Sequence, residues 1–239
     1  MKKKAVAWIK KQVKDACAEG IVMGLSGGID SAVVCALAKE AVGKKNVLGL
    51  LMPCHSHPRD IKDAQLVARK LGVKTRVVDL TKVYDSFLKV LPQAKPLAKA
   101  NLRPRLRMAT LYYFANKFNY LVSGTGNKSE IMAGYFTKYG DGGVDILPIA
   151  DLLKRDVRKL AQELDIPESI IVKAPTAGLW PGQTDEGEMG ISYNELDDIL
   201  YRLEHKKIQV AKKDKIAKVK RMIARSRHKR CMPESCKVK

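Results

Sequence analysis

The stretch from Gly24 to Ser31, GLSGGIDS, places adjacent glycines beside hydroxyl and carboxylate side chains. Ser26, Gly27 and Gly28 can turn their backbone N–H groups toward one anion, and the positive end of a helix that starts nearby adds to the attraction. A Walker loop needs a lysine directly after its last glycine, and a dinucleotide-binding loop needs the spacing GxGxxG. Neither pattern is present, so the stretch predicts a phosphate site of a different kind.

Asp30 is the unusual residue of this stretch, because a carboxylate beside bound phosphate is repelled unless a cation lies between them. Carboxylate and phosphate oxygens both suit magnesium, so Asp30 is a candidate ligand of Mg²⁺. An ordinary helix start, with Asp30 and Ser31 as capping residues, is the plainer interpretation. That interpretation gives the two adjacent glycines no purpose.

The sequence SGGIDS after a short apolar segment resembles the signature of the N-type ATP pyrophosphatases, which cleave ATP between the α and β phosphates. The resemblance implies contacts with ATP from the whole turn, namely Gly24, Leu25, Ser26, Gly27, Gly28, Ile29, Asp30 and Ser31. That superfamily contains GMP synthetases, asparagine synthetases, several tRNA-modifying enzymes and NAD synthetases. The turn therefore predicts ATP as a substrate and leaves the second substrate open.

Four further segments resemble NAD synthetases: SGTGNKSE (123–130), YFTKYGDGGVDILPI (135–149), DLLKRDV (151–157) and KAPTAGLWPGQTDE (173–186). The resemblance implies that Thr125, Lys154 and Thr176 contact ATP, and that Glu130 is a second carboxylate on Mg²⁺. The plainer alternatives are a surface carboxylate, solvated lysines and a tight turn at YGDGG. Any one short segment matches by chance often, but five in the right order do not.

The same resemblance implies a site for deamido-NAD built from residues far apart in the chain. Its members are Arg105 in NLRPRLRM, Lys138, Asp145, and His228 with Lys229 near the end. An arginine suits a carboxylate or diphosphate because its planar fork donates two hydrogen bonds. The chain departs from the family in having Pro104 where alanine is usual, and in the loop PCHSHPRD (53–60), where His55 and His57 leave the ATP contacts in doubt.

The reaction that the resemblance implies is ATP-dependent amidation of deamido-NAD by ammonia, which gives NAD, AMP and diphosphate through an adenylate. Catalysis would rest on Asp30, Glu130, Lys154 and Asp145, with Mg²⁺ as cofactor and no protein nucleophile. The length of 239 residues leaves no room for a glutaminase domain, so ammonia is the expected nitrogen source. The resemblance also implies a homodimer.

The distribution of basic charge favours a competing interpretation. The chain has a net charge of +20, and residues 205–239 alone hold 14 Lys and Arg against 2 acids. Such a tail can bind RNA, as in a tRNA-modifying ATP pyrophosphatase. That tail contains no aromatic residue for base stacking, and we expect no nucleic-acid partner. A non-catalytic nucleotide-binding scaffold is the third interpretation, and it would not need both carboxylates.

The cysteines and the hydropathy indicate a cytoplasmic protein without a membrane span. The five cysteines lack a CxxC pair, which argues against a disulfide framework or a zinc ribbon, although Cys231 and Cys236 could share a metal with His228. No uncharged run approaches the roughly 18 residues of a spanning helix. We therefore expect neither a membrane nor a structural metal.

The elements that must position these residues follow from periodicity and from the glycines and prolines that interrupt it. Helices are predicted over 2–19, 31–43, 59–72, 81–90, 101–118 and 151–167, and strands over 21–25, 46–53, 74–80 and 120–125. This alternation predicts an α/β fold, a doubly wound parallel sheet of the Rossmann-type three-layer kind. One domain is expected, with its core over 1–172, a mobile loop over 173–190 and a basic helical tail over 191–239 that begins at a capping box.

Overall fold

A four-stranded parallel sheet forms the centre of the computed structural model, which describes residues 1–176, 178, 182–205, 213–236 and 238. Its strands are β1 (Gly20–Gly24), β2 (Val47–Leu51), β3 (Lys74–Val77) and β4 (Tyr120–Ser123), in the order β3-β2-β1-β4. The order reverses at β1, which pairs with β2 on one side and β4 on the other. Ligands bind beyond the carboxyl ends of the strands at such a switch point.

Helices surround the sheet and continue past it toward the end of the chain. In chain order they are α1 (Lys2–Asp15), α2 (Ile29–Val42), α3 (Pro58–Leu71), α4 (Thr81–Lys89), α5 (Pro96–Ala100), α6 (Leu102–Phe118), α7 (Lys128–Ala133), α8 (Lys154–Glu163), α9 (Glu168–Ile171), α10 (Asp185–Met189), α11 (Tyr193–Glu204), α12 (Lys213–Arg225) and α13 (Arg227–Arg230). A 3₁₀ turn covers Lys44–Asn46. None of the helices in the described ranges is long and apolar enough to cross a membrane.

Alternation along β1 supplies both faces of the core, because successive strand residues point to opposite sides. Ile21 and Met23 belong to the cluster formed with α1, α2, α3 and α8, whereas Val22 belongs to the cluster formed with α4 and α6. A third cluster joins α7, α10, α11 and α12 through Met189, Leu196 and similar residues. The predicted doubly wound α/β fold is therefore confirmed, and the third cluster docks the tail onto it.

Several predicted boundaries were wrong. The strand predicted over 74–80 ends at Val77, and the helix predicted over 151–167 begins only at Lys154 and ends at Glu163. The segment predicted to be a loop over 173–190 contains α10, which Thr184 caps by accepting from the Gly187 N–H. Ser192 caps a helix as predicted, and α11 starts at Tyr193, directly after the cap. Local periodicity carries too little information at helix ends, where single capping bonds decide.

Candidate active site

Two carboxylates meet beyond the carboxyl ends of the central strands. Asp30 lies in the first turn of α2, directly after β1 and the glycine turn, and Glu130 lies in the first turn of α7, after β4. Because β1 and β4 are neighbours, the two side chains converge. Asn127 joins them: its Nδ2 donates to Oδ1 of Asp30 at 2.9 Å, and its Oδ1 accepts from the Glu130 N–H at 3.0 Å.

Lys154 lies between these carboxylates. Its Nζ is 2.5 Å from Oδ2 of Asp30 and 3.2 Å from Oε1 of Glu130, and the residue is 1% exposed. The ring of Tyr193 covers the ammonium group, with its centre 4.9 Å from Nζ. The Tyr193 hydroxyl lies 3.2 Å from Oε1 of Glu130 and donates to Oδ2 of Asp185 at 2.9 Å. The result is a cluster in which Asp30 and Glu130 contact one buried lysine and Tyr193 links Glu130 to Asp185.

Burial and mutual charge perturb the ionisation of this cluster. Burial raises the pKa of Glu130 to about 7, the negative charge of Asp30 adds to the rise, and Lys154 opposes it. Burial alone would lower the pKa of Lys154, but the two carboxylates outweigh it and raise that pKa. Perturbed groups of this kind, gathered in a cleft, are typical of catalytic or ligand-binding sites.

The glycine turn has the tight curvature that its sequence predicts. Gly27 has φ +78°, and a Cβ there would lie 2.5 Å from the carbonyl oxygen of Asp60. Oγ of Ser31 donates to the carbonyl oxygen of Gly28 at 2.9 Å, and the N–H groups of Ser26 and Gly28 donate to serine hydroxyls at 3.3 and 3.2 Å. Ser26, Gly28 and Ser31 all line the cavity in which the anion is predicted to lie.

A cavity of about 470 Å³ opens between the turn, the strand ends, α6 and the segment after α9. Of the predicted ATP contacts, Gly24, Leu25, Ser26, Gly28, Ile29, Asp30, Ser31, Thr125, Lys154 and Thr176 line it. Gly27 is not among the described residues that line the cavity. Its backbone forms the bend of the glycine turn, and its carbonyl oxygen lies 3.4 Å from Nζ of Lys173. The structure thus brings nearly all of the predicted ATP contacts together.

The residues predicted for deamido-NAD are only partly brought together. Lys229 lines the cavity and donates to the carbonyl oxygens of Gly134 and Phe136 at 2.7 and 2.8 Å. Lys138 donates to the carbonyl oxygen of His228, and Arg105 reaches that of Lys138 at 3.5 Å. Arg105, Lys138 and His228 are not among the described residues that line the cavity, although these two hydrogen bonds link them to one another.

Asp145 also lies outside the described cavity wall. Its Oδ2 accepts from the Val122 N–H at 2.7 Å, and its Oδ1 accepts from the Tyr112 hydroxyl at 2.9 Å. One oxygen thus ties the segment after α7 to β4, and the other ties it to α6. Its predicted catalytic role stays a prediction, because these contacts alone explain a carboxylate at this position.

Arg107 is a cavity residue that the sequence interpretation missed. Its guanidinium donates to the carbonyl oxygen of Met52 at 3.1 Å and to Oγ of Ser56 at 3.3 Å. Helical spacing could have found it: Pro104, Arg107, Met108 and Leu111 all line the cavity at intervals of three and four residues. Arg105 lies on another side of the same helix.

Asp197 was also missed, and it connects the tail to the site. Its Oδ1 accepts from Oγ of Ser129 at 2.5 Å and its Oδ2 from the Arg155 N–H at 2.9 Å. Oγ of Ser129 in turn accepts from the Lys154 N–H at 3.0 Å. The start of α8, and with it Lys154, is therefore held by a buried carboxylate from α11.

The histidines and cysteines show no metal site. His57 caps α3 by accepting from the Arg59 N–H at 3.2 Å, and Nε2 of His55 lies 2.8 Å from Oδ1 of Asp85. All five cysteines are free, with Cys231 and Cys236 exposed. In the described part of the chain, no group of three or more His, Cys, Asp or Glu could hold a metal by itself.

Nearly the whole chain is similar to known proteins. A family model described as NAD synthase matches residues 1–233. The NH(3)-dependent NAD(+) synthetase of Carboxydothermus hydrogenoformans is 49% identical over 236 residues, which is 97% of this chain and 94% of that relative. The chain belongs to the NAD synthase family.

Further proteins are similar to this chain in sequence or in structure. The NH(3)-dependent NAD(+) synthetase of Archaeoglobus fulgidus is 48% identical over 97% of this chain and 94% of its own. The structure of an NMN synthetase from Francisella tularensis superposes with a TM-score of 0.90 at 38% identity, over 98% of this chain and 96% of its own. The structure of an NH3-dependent NAD synthetase from Campylobacter jejuni, in complex with nitrate, superposes with a TM-score of 0.86 at 32% identity. The match covers 99% of this chain and 97% of the other. The predicted family and the prediction of a ligase are confirmed.

Proposed function

We propose that this protein uses ATP and ammonia to convert deamido-NAD to NAD, with release of AMP and diphosphate. The observation that carries the proposal is the contact of Lys154 with Asp30 and Glu130 beside the glycine turn, within one cavity. A scaffold that merely bound nucleotides would not need two partly buried carboxylates around a buried lysine. Membership of the NAD synthase family supports the same activity.

ATP would lie with its phosphates against the glycine turn. Ser26, Gly28 and Ser31 line the cavity there, together with Thr125 and Thr176. Phosphate oxygens would replace the serine hydroxyls as acceptors of the Ser26 and Gly28 N–H groups. Lys154 would neutralise charge that develops on the phosphates as the bond between the α and β phosphorus atoms breaks. The turn would then hold the departing diphosphate, which explains why it lacks the lysine of a Walker loop.

Asp30 and Glu130 fit the Mg²⁺ that the family implies. Both are oxygen donors, both face one position beside the predicted phosphate site, and that position already holds a positive charge, the Lys154 ammonium. Two carboxylates complete a magnesium site only with phosphate oxygens and water, which agrees with a metal that accompanies ATP. When bound, Mg²⁺ would supply charge neutralisation on the phosphates.

The chemistry needs two displacements and no protein nucleophile. An oxygen of the nicotinate carboxylate attacks the α-phosphorus of ATP, and diphosphate leaves. Ammonia then attacks the acyl carbon of the adenylate and AMP leaves, which forms the amide of NAD. The contribution of the protein is to hold the reactants in line and to exclude water, which would hydrolyse the adenylate.

The segment over 173–190 would close the cavity. Its base is tied at both ends: Nζ of Lys173 contacts Asp60 at 2.9 Å and Asp63 at 2.6 Å, and the Asp185 N–H donates to the carbonyl oxygen of Pro175 at 3.2 Å. ATP in the cavity would then be covered by this segment while its base stays in position. We expect bound ATP to protect this segment from proteolysis.

We also propose a cytoplasmic homodimer that binds no nucleic acid. Val83 and Phe87 on α4 and Tyr113 on α6 expose large apolar side chains, which a second copy could cover. The tail lysines and arginines that contact carbonyl oxygens, Lys229 and Arg230 among them, serve the fold rather than RNA. Sedimentation would give a dimer that Tyr113→Glu weakens, and added tRNA would leave diphosphate release unchanged.

The decisive assay measures AMP and NAD formed from ATP, ammonia and deamido-NAD. The protein is expected to form both, and Asp30→Asn to lower turnover at least about a hundredfold, the range for loss of one electrostatic catalytic contact. Asp151→Asn is the control, since that carboxylate is 96% exposed. Nicotinate mononucleotide is tested in parallel, because a structural relative is an NMN synthetase. If neither pyridine substrate yields AMP, the proposal is wrong.

A further inference from the structure

Arg230, the last residue of α13, joins the tail to α7 through four hydrogen bonds. Its Nη1 donates to the carbonyl oxygens of Ile131 and Met132 at 3.2 and 3.3 Å, although Arg230 and Ile131 are 99 residues apart in the chain. Nη1 also donates to Oγ of Ser226 at 2.6 Å, and Nη2 donates to the carbonyl oxygen of Ile223 at 2.6 Å. All four acceptors are neutral oxygens, so the guanidinium acts as a clamp between the end of α12 and α7.

The carbonyl oxygens that accept these bonds lie at the end of α7 that needs outside donors. The last carbonyl groups of any helix lack partners within it, and α7 has only 6 residues, too few to be stable alone. Nζ of Lys229, the neighbour of Arg230, donates to the carbonyl oxygens of Gly134 and Phe136 just beyond this end. Two consecutive cations of the tail therefore hold the end of α7, and their charge suits the negative end of a helix.

The opposite end of α7 carries Glu130, one of the two carboxylates proposed for Mg²⁺. Asn127 caps that end by accepting from the Glu130 N–H, and it also donates to Oδ1 of Asp30. Ile131, whose carbonyl oxygen accepts from Arg230, directly follows Glu130 in the chain. A shift of α7 along its axis would therefore move the Glu130 carboxylate relative to Asp30.

Lys229 relates the same end of α7 to the second substrate. The residue lines the cavity, and two of the three N–H donors of its ammonium group go to carbonyl oxygens. Burial lowers the pKa of Lys229, with the negative charge of Asp141 opposing, so an anionic ligand would relieve the cost of this charge. An anionic group of deamido-NAD on the third donor would fix Lys229, and with it Arg230 and the end of α7.

We propose that Arg230 is a positioning residue for Glu130, and that through α7 the binding of deamido-NAD and the binding of the metal with ATP strengthen each other. This inference rests on the function proposed above and adds a coupling between its two substrates. Each ligand holds one end of the same short helix, so the second ligand meets a helix that is already in place. Coupling of this kind is reciprocal, because each ligand must raise the affinity of the other by the same factor.

Arg230→Met tests the positioning role without any turnover, because it keeps an apolar stem and removes every donor. The probe is Mn²⁺, measured by electron paramagnetic resonance together with an ATP analogue whose methylene bridge between the α and β phosphorus atoms prevents cleavage. We expect the variant to bind Mn²⁺ about three- to tenfold more weakly than the wild type, the worth of one hydrogen bond. Arg230→Lys keeps the charge without the planar fork and should give an intermediate affinity.

The same measurement with deamido-NAD added tests the coupling. In the wild type we expect deamido-NAD to tighten Mn²⁺ binding about fivefold or more, and Mn²⁺ with the analogue to tighten deamido-NAD binding by the same factor. In Arg230→Met both factors should fall to about twofold or less. The variant should also need more Mg²⁺ for half of its maximal rate, whereas a purely structural role would lower the amount of folded protein and leave these affinities unchanged. If Arg230→Met does not fold, Arg230→Lys carries both measurements.

Arg225→Met is the matched control, because Arg225 ends α12 with an exposed side chain and its loss removes the same charge from the tail. It should change neither the Mn²⁺ affinity nor the coupling. Wild-type Mn²⁺ affinity in Arg230→Met, no effect of deamido-NAD on the wild type, or an equal loss in Arg225→Met would each overturn the inference. Failure of the wild type to form AMP, while Arg230→Met still weakens Mn²⁺ binding, would count against the proposed function rather than this role of Arg230.

Discussion

Nζ of Lys154 lies 2.5 Å from Oδ2 of Asp30, although 124 residues separate them in the chain. The ammonium group therefore occupies the oxygens that we propose for Mg²⁺. Lysine and metal cannot share these oxygens without mutual repulsion. Magnesium should therefore bind well only when the phosphates of ATP draw the lysine toward themselves.

Lys154→Met tests this competition directly. We expect Mn²⁺ to bind the variant without ATP about tenfold or more tightly than the wild type, because the ammonium no longer occupies the carboxylates. The signal of free Mn²⁺ in electron paramagnetic resonance measures this affinity without any turnover. Lys128→Met is the matched control, since that lysine pairs with Asp151 and Glu204 near the surface. Equal Mn²⁺ affinity of Lys154→Met and the wild type would contradict the competition.

Asp197→Ala should destabilise the protein and lower its activity together. The substitution leaves Oγ of Ser129 and the Arg155 N–H without their buried acceptor, at a cost of about 1–3 kcal/mol for each unsatisfied group. Urea unfolding measures the loss, and kcat should fall because the start of α8 positions Lys154. Asp198→Ala is the control, because the Asp198 carboxylate of the wild type is exposed to solvent. Full activity of Asp197→Ala at normal stability would exclude a positioning role.

The charge of Asp197 also predicts a pH dependence. Burial raises the pKa of Asp197, so the fold favours its protonated form relative to the unfolded chain. The stability that this preference contributes is complete below the ordinary carboxyl pKa and is lost as pH rises through the raised value. The free energy of unfolding of the wild type, relative to Asp197→Asn, should therefore increase as pH falls from about 7 to about 4. A constant difference would contradict the raised pKa.

The sheet, the glycine turn and the meeting of Asp30 with Glu130 could be predicted from the sequence, because parallel strands bring their carboxyl ends to one edge. Asp185, Tyr193 and Asp197 could not. Their contacts join α10 and α11 to α7 and α8, and Ser129 and Asp197 are 68 residues apart. Local patterns record the periodicity of one element, whereas such contacts depend on how the third hydrophobic cluster packs.

Lys173→Ala should loosen the base of the closing segment. Nζ of Lys173 contacts Asp60, Asp63 and the carbonyl oxygen of Gly27, so it joins this segment to the glycine turn. We expect the KM for ATP to rise about three- to tenfold and cleavage within 173–190 to become faster, since two partly buried charged contacts are lost. Lys173→Arg should restore part of the effect. Lys70→Ala, whose partner Asp165 is 88% exposed, should change neither measurement.

Gly134 and Gly72 form a matched pair that isolates the docking of the tail. Both end a helix in the left-handed conformation, with φ +72° and +66°, so alanine strains each by roughly 1–2 kcal/mol. A Cβ at Gly134 would also lie 2.1 Å from Cβ of Ser226, whereas the nearest atom at Gly72 is 3.6 Å away. Gly134→Ala should therefore cost about 1–3 kcal/mol more than Gly72→Ala in urea unfolding, because the end of α12 must move.

The same shift should weaken substrate binding, since Lys229 donates to the carbonyl oxygen of Gly134 and lines the cavity. We expect Gly134→Ala to raise the KM for deamido-NAD more than the KM for ATP, and Gly72→Ala to change neither, because Gly72 lies at the far end of α3. If Gly134→Ala leaves the KM for deamido-NAD unchanged, Lys229 does not belong to the proposed deamido-NAD site. If the two substitutions lower the free energy of unfolding equally, the contact between α7 and α12 accommodates the added methyl group without loss of stability.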